Sequence, residues 1–306
     1  MEKKKNIIEK YQEWMEFDKM KFNPPTWILM SIAATIAVAI ISFFVSSLII
    51  KEANLIPLAF GFAALVLSVG YPYLRKESII NSIEKNFSDA LKQMADTLKA
   101  GDTYESALRE VANSDYGRLS EEMGEALRRL EEGENLEVAL GGFAAKIDSK
   151  LVKRTITIVL DSIRTGASLA EILEEIAEDV RDMQRLKEER KSNTTMQFLF
   201  MVAAGGIIAP MIFGEVNAVM ATFGRITLST LTEAQRLAST KSSEFIAILI
   251  QVYLIIEVAG SGLMMSLIRE GKINKSVIYI PLLLLVAFVM YYLTAFAVKG
   301  MLAGAI

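Results

Sequence analysis

The stretch LKAGDTYESAL, from Leu98 to Leu108, returns twice with the same order of residue types. The later copies are LEEGENLEVAL at Leu130–Leu140 and IRTGASLAEIL at Ile163–Leu173. Each copy contains a glycine, then Thr, Asn or Ser two residues later, then two apolar residues four positions apart. Glycine adopts the positive φ of a helix C-terminal cap without steric cost, and Thr, Asn and Ser are good N-caps. The repeat therefore predicts three helix–turn–helix corners.

The three corner glycines are Gly101, Gly133 and Gly166. They imply six helices, over about residues 76–100, 103–113, 117–132, 135–146, 150–165 and 168–194. Short connections favour antiparallel neighbours, so we expect all three corners at one end of a six-helix bundle. A repeat of this period also fits a helical solenoid. Apolar segments adjoin both ends of the region, and they favour the bundle.

Five apolar blocks surround this region, and each is long enough to cross a bilayer as a helix, which takes about 20 residues. The fold predicted is an all-α integral membrane protein with about five transmembrane helices. A six-helix antiparallel cytoplasmic bundle lies between the second and third of them. The blocks are Trp27–Ile50, Leu55–Leu74, Met196–Met220, Phe245–Ile268 and Val277–Val298.

Lys and Arg residues crowd three of the segments beside these blocks, which predicts that those segments are cytoplasmic. We expect four regions: an amphipathic N-terminal segment at the membrane surface (1–26), two spans (27–74), a helical domain (75–195) and three spans (196–306). The N-terminus and residues 75–195 are predicted inside and the C-terminus outside. This arrangement places the protein in the cytoplasmic (inner) membrane as a multi-pass protein.

The composition limits the chemistry that the chain can perform. It has 306 residues, 52% of them hydrophobic, with no Cys, no His and a net charge of −3. Thiolate and imidazole catalysis and zinc sites that need Cys or His ligands are excluded. No phosphate-binding loop is present, because Gly271-Lys272 lacks both the earlier glycine and the following Ser or Thr. We predict no enzyme activity, no cofactor, no metal and no nucleic-acid partner.

The region resembles the type II secretion system F domain, found in membrane platform proteins of type II secretion, type IV pili, tight-adherence pili and archaeal flagella. The resemblance rests on ALKQMADTLKAGDTYESALREVA, LRRLEEGENLEVALGGFA and LDSIRTGASLAEILEEIAEDVRDMQRLKEER. It implies a platform protein that couples a cytoplasmic hexameric secretion ATPase to the assembly of pilin-like subunits. Larger relatives carry two such domains, so the resemblance also implies a second copy or a paralogous platform protein as a partner.

Two groups of residues are candidates for contact with these partners. The first is at the corners and on an acidic face of the sixth helix, where the alternative is a merely solvated surface. The second is a pair of carboxylates inside the apolar blocks, which are costly in lipid and are functional candidates for contact with a pilin. Their alternative is a structural, hydrogen-bonded role. The candidates for ATPase docking are Gly101, Asp102, Gly133, Glu134, Gly166, Glu171, Glu174, Glu175 and Glu178, and those for pilin contact are Glu215 and Glu257.

Two other functions stay open on the sequence. An ion-coupled transporter could use Glu257 as its ion site, although no inverted repeat of the membrane blocks is evident. A membrane anchor or scaffold without a filament would need none of the candidate sites.

Overall fold

The computed structural model describes residues 7–18, 23–49, 55–165, 168–228 and 233–305, and the secondary structure in these ranges is helical. The chain divides into two compact units. One, here the helical unit, contains residues 1–20 and 72–189, and the other, here the membrane unit, contains residues 21–71 and 190–306.

The helical unit contains the helices that the repeat predicts, with closely similar ends. They are the last part of α3 (Ile56–Lys99), α4 (Tyr104–Ala112), α5 (Arg118–Glu131), α6 (Leu136–Lys146), α7 (Lys150–Thr165) and most of α8 (Leu169–Asn193). One boundary differs from the prediction. α3 begins within the second apolar block and continues through Pro72, so the span and the first bundle helix form a single helix of 44 residues.

Two of the predicted corners have the expected cap geometry. Gly101 and Gly133 adopt φ values of 93° and 97°. At the second corner, the amides of Gly133 and Glu134 donate to the carbonyls of Leu130 and Arg129 at 2.9 and 3.0 Å. This pair of bonds closes a helix C-terminus and requires a left-handed residue at the glycine position. The third corner glycine, Gly166, lies outside the described residues.

The next helix at each of these corners begins with the predicted N-cap. Thr103 Oγ1 accepts a hydrogen bond from the amide of Ser106 at 3.2 Å. Asn135 Oδ1 accepts one from the amide of Val138 at 2.8 Å. Each side chain satisfies an amide that the first helical turn would otherwise leave without a partner.

Side-chain contacts show that consecutive helices of this unit alternate in direction. α3 and α8 are antiparallel, because Lys99 pairs with Glu174 near one end and Lys187 with Glu84 at 3.3 Å toward the other. One end of the helical unit therefore contains the first two corners, the end of α7 and the start of α8. We call it the corner end. Further pairs between neighbouring helices are Gln93–Ser114 at 3.0 Å, Lys146–Glu125 at 2.8 Å and Arg164–Glu137 at 2.8 Å.

An apolar core drawn from all six helices joins them, and it includes the fully buried Phe87, Leu108, Met123, Ile147 and Leu173. These residues recur at helical spacing on the inner faces, which is the pattern of amphipathic helices that pack together.

A buried carboxylate at the start of α5 is the charged exception to this core. Glu122 is 4% exposed and contacts Arg118 at 2.9 Å and Lys146 at 2.6 Å. A buried charge is tolerated only when it is paired in this way. The pairing fixes α6 against α5 within the helical unit.

The N-terminal helix α1 (Ile7–Phe17) forms as the apolar spacing predicts, and it packs on the helical unit. Tyr11 and Met15 are buried, and the Trp14 ring lies 5.2 Å from Tyr73. At its C-terminal end, Arg118 donates to the Phe17 carbonyl at 3.2 Å. The apolar face that was assigned to lipid is thus occupied by protein, while the position of the helix at the membrane surface stays a prediction.

The membrane unit contains the remaining helices: α2 (Pro24–Ile49), the first part of α3, α9 (Thr195–Met201), α10 (Ala209–Leu228), α11 (Glu233–Glu270) and α12 (Ser276–Ala305). A π-helical turn, Val202–Ile208, joins α9 to α10. The described helices include five that are long and apolar enough to span a bilayer, and each overlaps one of the five predicted blocks. The number of candidate spans agrees with the prediction.

Small residues allow close approach between these helices. A β-carbon at Gly214 would collide with the Tyr291 carbonyl and the Thr294 hydroxyl, and one at Gly262 would lie 3.1 Å from the backbone nitrogen of Ile280. α12 therefore lies directly against both α10 and α11 in the membrane unit.

Candidate functional site

The corner end presents the four described corner candidates to solvent. Gly101, Asp102, Gly133 and Glu134 are all exposed. The glycines shape the two turns, and the acids that follow them carry the negative charge of this end.

The acidic face of α8 forms largely as predicted. Glu171, Glu175 and Glu178 are exposed, while Leu173 and Ile176 on the opposite face are buried. This alternation places the three acids on one accessible stripe.

Glu174, the remaining candidate on this helix, accepts a hydrogen bond from Lys99 on α3. This hydrogen bond lowers the pKa of the Glu174 carboxyl below its ordinary value. The pair ties the end of α3 to the start of α8, so Glu174 has a structural role at the corner end.

A polar groove of about 640 Å³ between α3 and α4 opens beside the first corner. It contains four carboxylates and one lysine, and we call it the acidic groove. Its lining residues are Asp89, Lys92, Gln93, Asp96, Thr97, Ala100, Asp102, Glu110, Ser114 and Tyr116.

The groove has an excess of negative charge, because its lining has four carboxylates and one lysine. Burial, together with the nearby Asp89 and Glu110, raises the pKa of the Tyr116 hydroxyl, because a phenolate is disfavoured beside like charge. Asp89 is partly neutralised by Arg181 at 2.8 Å, and Glu110 accepts a hydrogen bond from Thr97. Asp102 makes the groove continuous with the corner end.

Within the membrane unit, Glu257 faces the π-helical turn. A β-carbon at Gly205 would lie 2.7 Å from the Ser261 hydroxyl and 3.8 Å from Glu257 Oε1. Oε2 of Glu257 is buried and has no hydrogen-bond partner in the described part of the chain. π-Helical turns inside α-helices occur frequently at functional sites, and an intramembrane carboxylate is a functional candidate.

The structure does not bring the second membrane carboxylate to the same place. Glu215 is exposed, and it lies ten residues beyond Gly205, about 15 Å along the helix at about 1.5 Å per residue. Gln251, six residues before Glu257, accepts a hydrogen bond from the amide of Leu55 at 2.8 Å. The two carboxylates are therefore separate features.

A comparison with known protein families shows which family this part of the chain is similar to. Residues 90–216 match the family described as "Type II secretion system (T2SS), protein F". This part of the chain is similar to the F domain. The match begins in α3, covers the three corners and ends in α10 one residue after Glu215, so it includes the corner end, the α8 stripe and the π-helical turn. F-domain platform proteins are non-enzymatic membrane components.

Two archaeal proteins are similar to the chain beyond the F domain itself. An uncharacterized protein of Methanocaldococcus jannaschii is 26% identical over 223 residues, which is 72% of this chain and 69% of that protein. Flagella accessory protein J of Methanococcus voltae is 22% identical over 291 residues, or 92% of this chain, and the chain spans about half (52%) of its length. No solved structure matches the chain.

Sequence reasoning did not identify two features of the F domain. Asp89, Gln93 and Asp96 follow one another at helical spacing on α3, and this pattern could have indicated the acidic groove before the structure was known. The buried Glu122 has no such signal, because its neighbours Glu121 and Glu125 are equally acidic but are 56% and 37% exposed.

Proposed function

We propose that this protein is a platform protein of a type IV filament or type II secretion machine in the cytoplasmic membrane. It couples a cytoplasmic hexameric ATPase to the assembly of pilin-like subunits. The observation that carries the proposal is an F domain whose corner end is exposed, acidic and built from repeated turns. The similarity to flagella accessory protein J supports it at the level of the family.

We propose the following arrangement for this role. The N-terminus and residues 75–195 are cytoplasmic, the C-terminus is outside, and the antiparallel bundle lies between the second and third spans. The excess of Lys and Arg beside the spans supports this orientation. An ATPase beneath the membrane would then meet the corner end and the acidic groove.

Charge reversal at the corner end tests the docking proposal. The full chain in detergent, as wild type and as Asp102→Lys/Glu134→Lys, is used to capture the purified ATPase. Both acids are exposed, so the double variant should fold, and it should capture less ATPase, with the larger difference at low salt where charges are less screened. Asp115→Lys/Glu188→Lys is the matched control, since it reverses two exposed charges toward the opposite end of the bundle.

Equal capture by the corner variant and wild type would remove the corner end from the docking site. In that case the next variant should reverse the charges of the exposed acids on α8, which are Glu171, Glu175 and Glu178. If the control double variant loses as much capture as the corner variant, the effect is one of net charge rather than of a docking surface.

We propose that Glu257 contributes to the contact with a pilin transmembrane segment. Support comes from its unpartnered buried oxygen beside Gly205 and the π-helical turn. Glu257→Leu should fold and insert, because it removes a costly polar group, yet it should reduce filament assembly. Glu257→Gln should retain more filament assembly than Glu257→Leu, because it keeps a hydrogen-bonding group. Glu215→Gln serves as the comparison variant at the exposed carboxylate. Normal filaments in the Leu variant would leave Glu257 with a structural role only.

We also propose that the working unit holds two F domains, supplied by a second copy of this chain or by a paralogue. The larger relatives with two domains support this stoichiometry. The mass of the active complex in detergent measures it, and an active complex with one copy and no paralogue would contradict it.

A further inference from the structure

Two arginines meet at the turn that joins the last two helices of the membrane unit. α11 ends at Glu270, and Gly271 closes it with φ of 67° while its amide donates to the Leu267 carbonyl at 3.0 Å. The guanidinium of Arg190 lies against this turn, with its two terminal nitrogens 3.2 and 3.3 Å from the position of a Gly271 β-carbon. Any larger residue would press on the guanidinium, so the glycine serves both the turn and the arginine.

Arg190 has no carboxylate partner in the part of the chain that the structure describes. It is exposed, and neither of its neighbours Glu188 and Glu189 pairs with it. The acid nearest the turn, Glu270, pairs with Lys275 at 2.8 Å, with its side chain 15% exposed. The positive charge of Arg190 is thus left uncompensated beside a well-ordered turn.

A second arginine at the same turn also has an unsatisfied donor. Arg269 lies over the Phe198 ring at 4.5 Å, and its buried Nε has no hydrogen-bond partner within the described ranges. Stacking on the ring fixes the plane of this guanidinium. A buried N–H without an acceptor is costly. Because Nε itself is buried, an external anion would contact this arginine through its terminal nitrogens.

The position of this turn identifies what could supply the acceptor. Three candidate spans begin or end here: Thr195–Thr222 starts five residues after Arg190, Lys241–Glu270 ends at the turn, and Ile273–Leu302 starts after it. The cluster therefore lies at the level of the lipid head groups on one face of the membrane. Lipid phosphates are the abundant anions at that level, and guanidinium groups bind phosphate through two parallel hydrogen bonds.

We propose that Arg190 and Arg269, arranged around Gly271, form a binding site for the phosphate of an anionic lipid. The site anchors the ends of three spans at one membrane face. It is independent of ATPase docking and pilin contact, because it uses none of the residues assigned to them. Lys191, which follows Arg190 and is exposed, adds positive charge to the same surface.

The test uses the full chain in nanodiscs of phosphatidylcholine, with and without phosphatidylglycerol. Thermal unfolding and the amount of phosphatidylglycerol retained in native mass spectrometry are measured. Phosphatidylglycerol should raise the unfolding temperature of the wild type, and Arg190→Gln should weaken its retention about fivefold, the effect expected for one basic residue near a lipid surface. Arg190→Lys should fall between them, because it keeps the charge and loses the planar fork.

Arg185→Gln is the matched control, since Arg185 is an exposed arginine on the same helix, five residues before Arg190. Equal loss of retention in Arg185→Gln and Arg190→Gln would overturn the proposal in favour of diffuse charge attraction. A third arm adds inorganic phosphate to the phosphatidylcholine nanodiscs. No shift is expected there, and a shift equal to that of phosphatidylglycerol would show a free-anion site instead of a lipid site.

Discussion

Gly133 allows a direct measurement of what its corner requires, because the cost of a side chain there is conformational and not steric. Its φ is 97°, and a β-carbon at this position would meet no atom of the described residues within 4 Å. Gly133→Ala therefore adds the strain of a left-handed L-residue, about 1–2 kcal/mol. Alanine also lowers the entropy of the unfolded chain, which offsets about 0.4–1 kcal/mol of that strain. The net expectation is a loss of about 1 kcal/mol.

The chain supplies a matched control on the helix that follows. Gly141 lies inside α6, and a β-carbon there would also meet no atom within 4 Å. Gly141→Ala should stabilise the fold by about 0.5–1 kcal/mol, because alanine is favoured over glycine in a helix interior. The same substitution, eight residues apart, is thus predicted to act with opposite signs.

Thermal unfolding of the full chain in detergent, followed by circular dichroism, measures both variants. For a unit of this size, 1 kcal/mol corresponds to a shift of about 4 °C. Gly133→Ala should unfold below the wild type and Gly141→Ala above it. If Gly133→Ala is as stable as the wild type, the corner does not depend on a left-handed glycine, and the structural meaning of the repeat is wrong.

Three further predictions follow from the ion pairs and the proposed topology. Glu122→Gln should cost about 3 kcal/mol in urea unfolding, because it removes the charge of a buried carboxylate that pairs with both Arg118 and Lys146. Glu125→Gln, at a 37% exposed carboxylate, should cost less than about 1 kcal/mol. The Lys146 hydrogen bond lowers the pKa of the Glu125 carboxyl below its ordinary value of 4.5. The pair therefore contributes to stability above pH 4.5, and this contribution is lost as the pH falls below that value. A wild-type stability profile that stays flat through that pH range would contradict this. A reporter active only in the cytoplasm should work when fused after Met196 and fail after Ile306, and the reverse result would overturn the proposed orientation.

The corners and spans were predictable because their causes are local. A left-handed cap at Gly133 and an N-cap at Asn135 depend on the conformational preferences of single residues, and a span depends on the length of an apolar run. These preferences act within a few residues of chain, so the pattern of residue types indicated the helix ends of the F domain and the number of spans. The family resemblance followed from the same repeated pattern.

The candidate sites depended on contacts that the sequence does not contain. Glu174 and Glu175 are adjacent and identical in type, yet only Glu174 meets Lys99, because α8 presents the two residues at different angles to α3. Likewise, Glu257 lies beside Gly205, which is part of the π-helical turn. The apolar face of α1 packs against protein.

The sequence by itself therefore determined most of the helix ends in the bundle and which segments are apolar enough to enter a membrane. Only the tertiary structure decided which charged groups are paired and which stay available, as Glu122 and Arg190 illustrate. The physical reason is the separation along the chain of the residues that interact. Helix caps and apolar length act between residues close in the chain, whereas the pairing and burial of a charge depend on residues that packing brings together from distant positions.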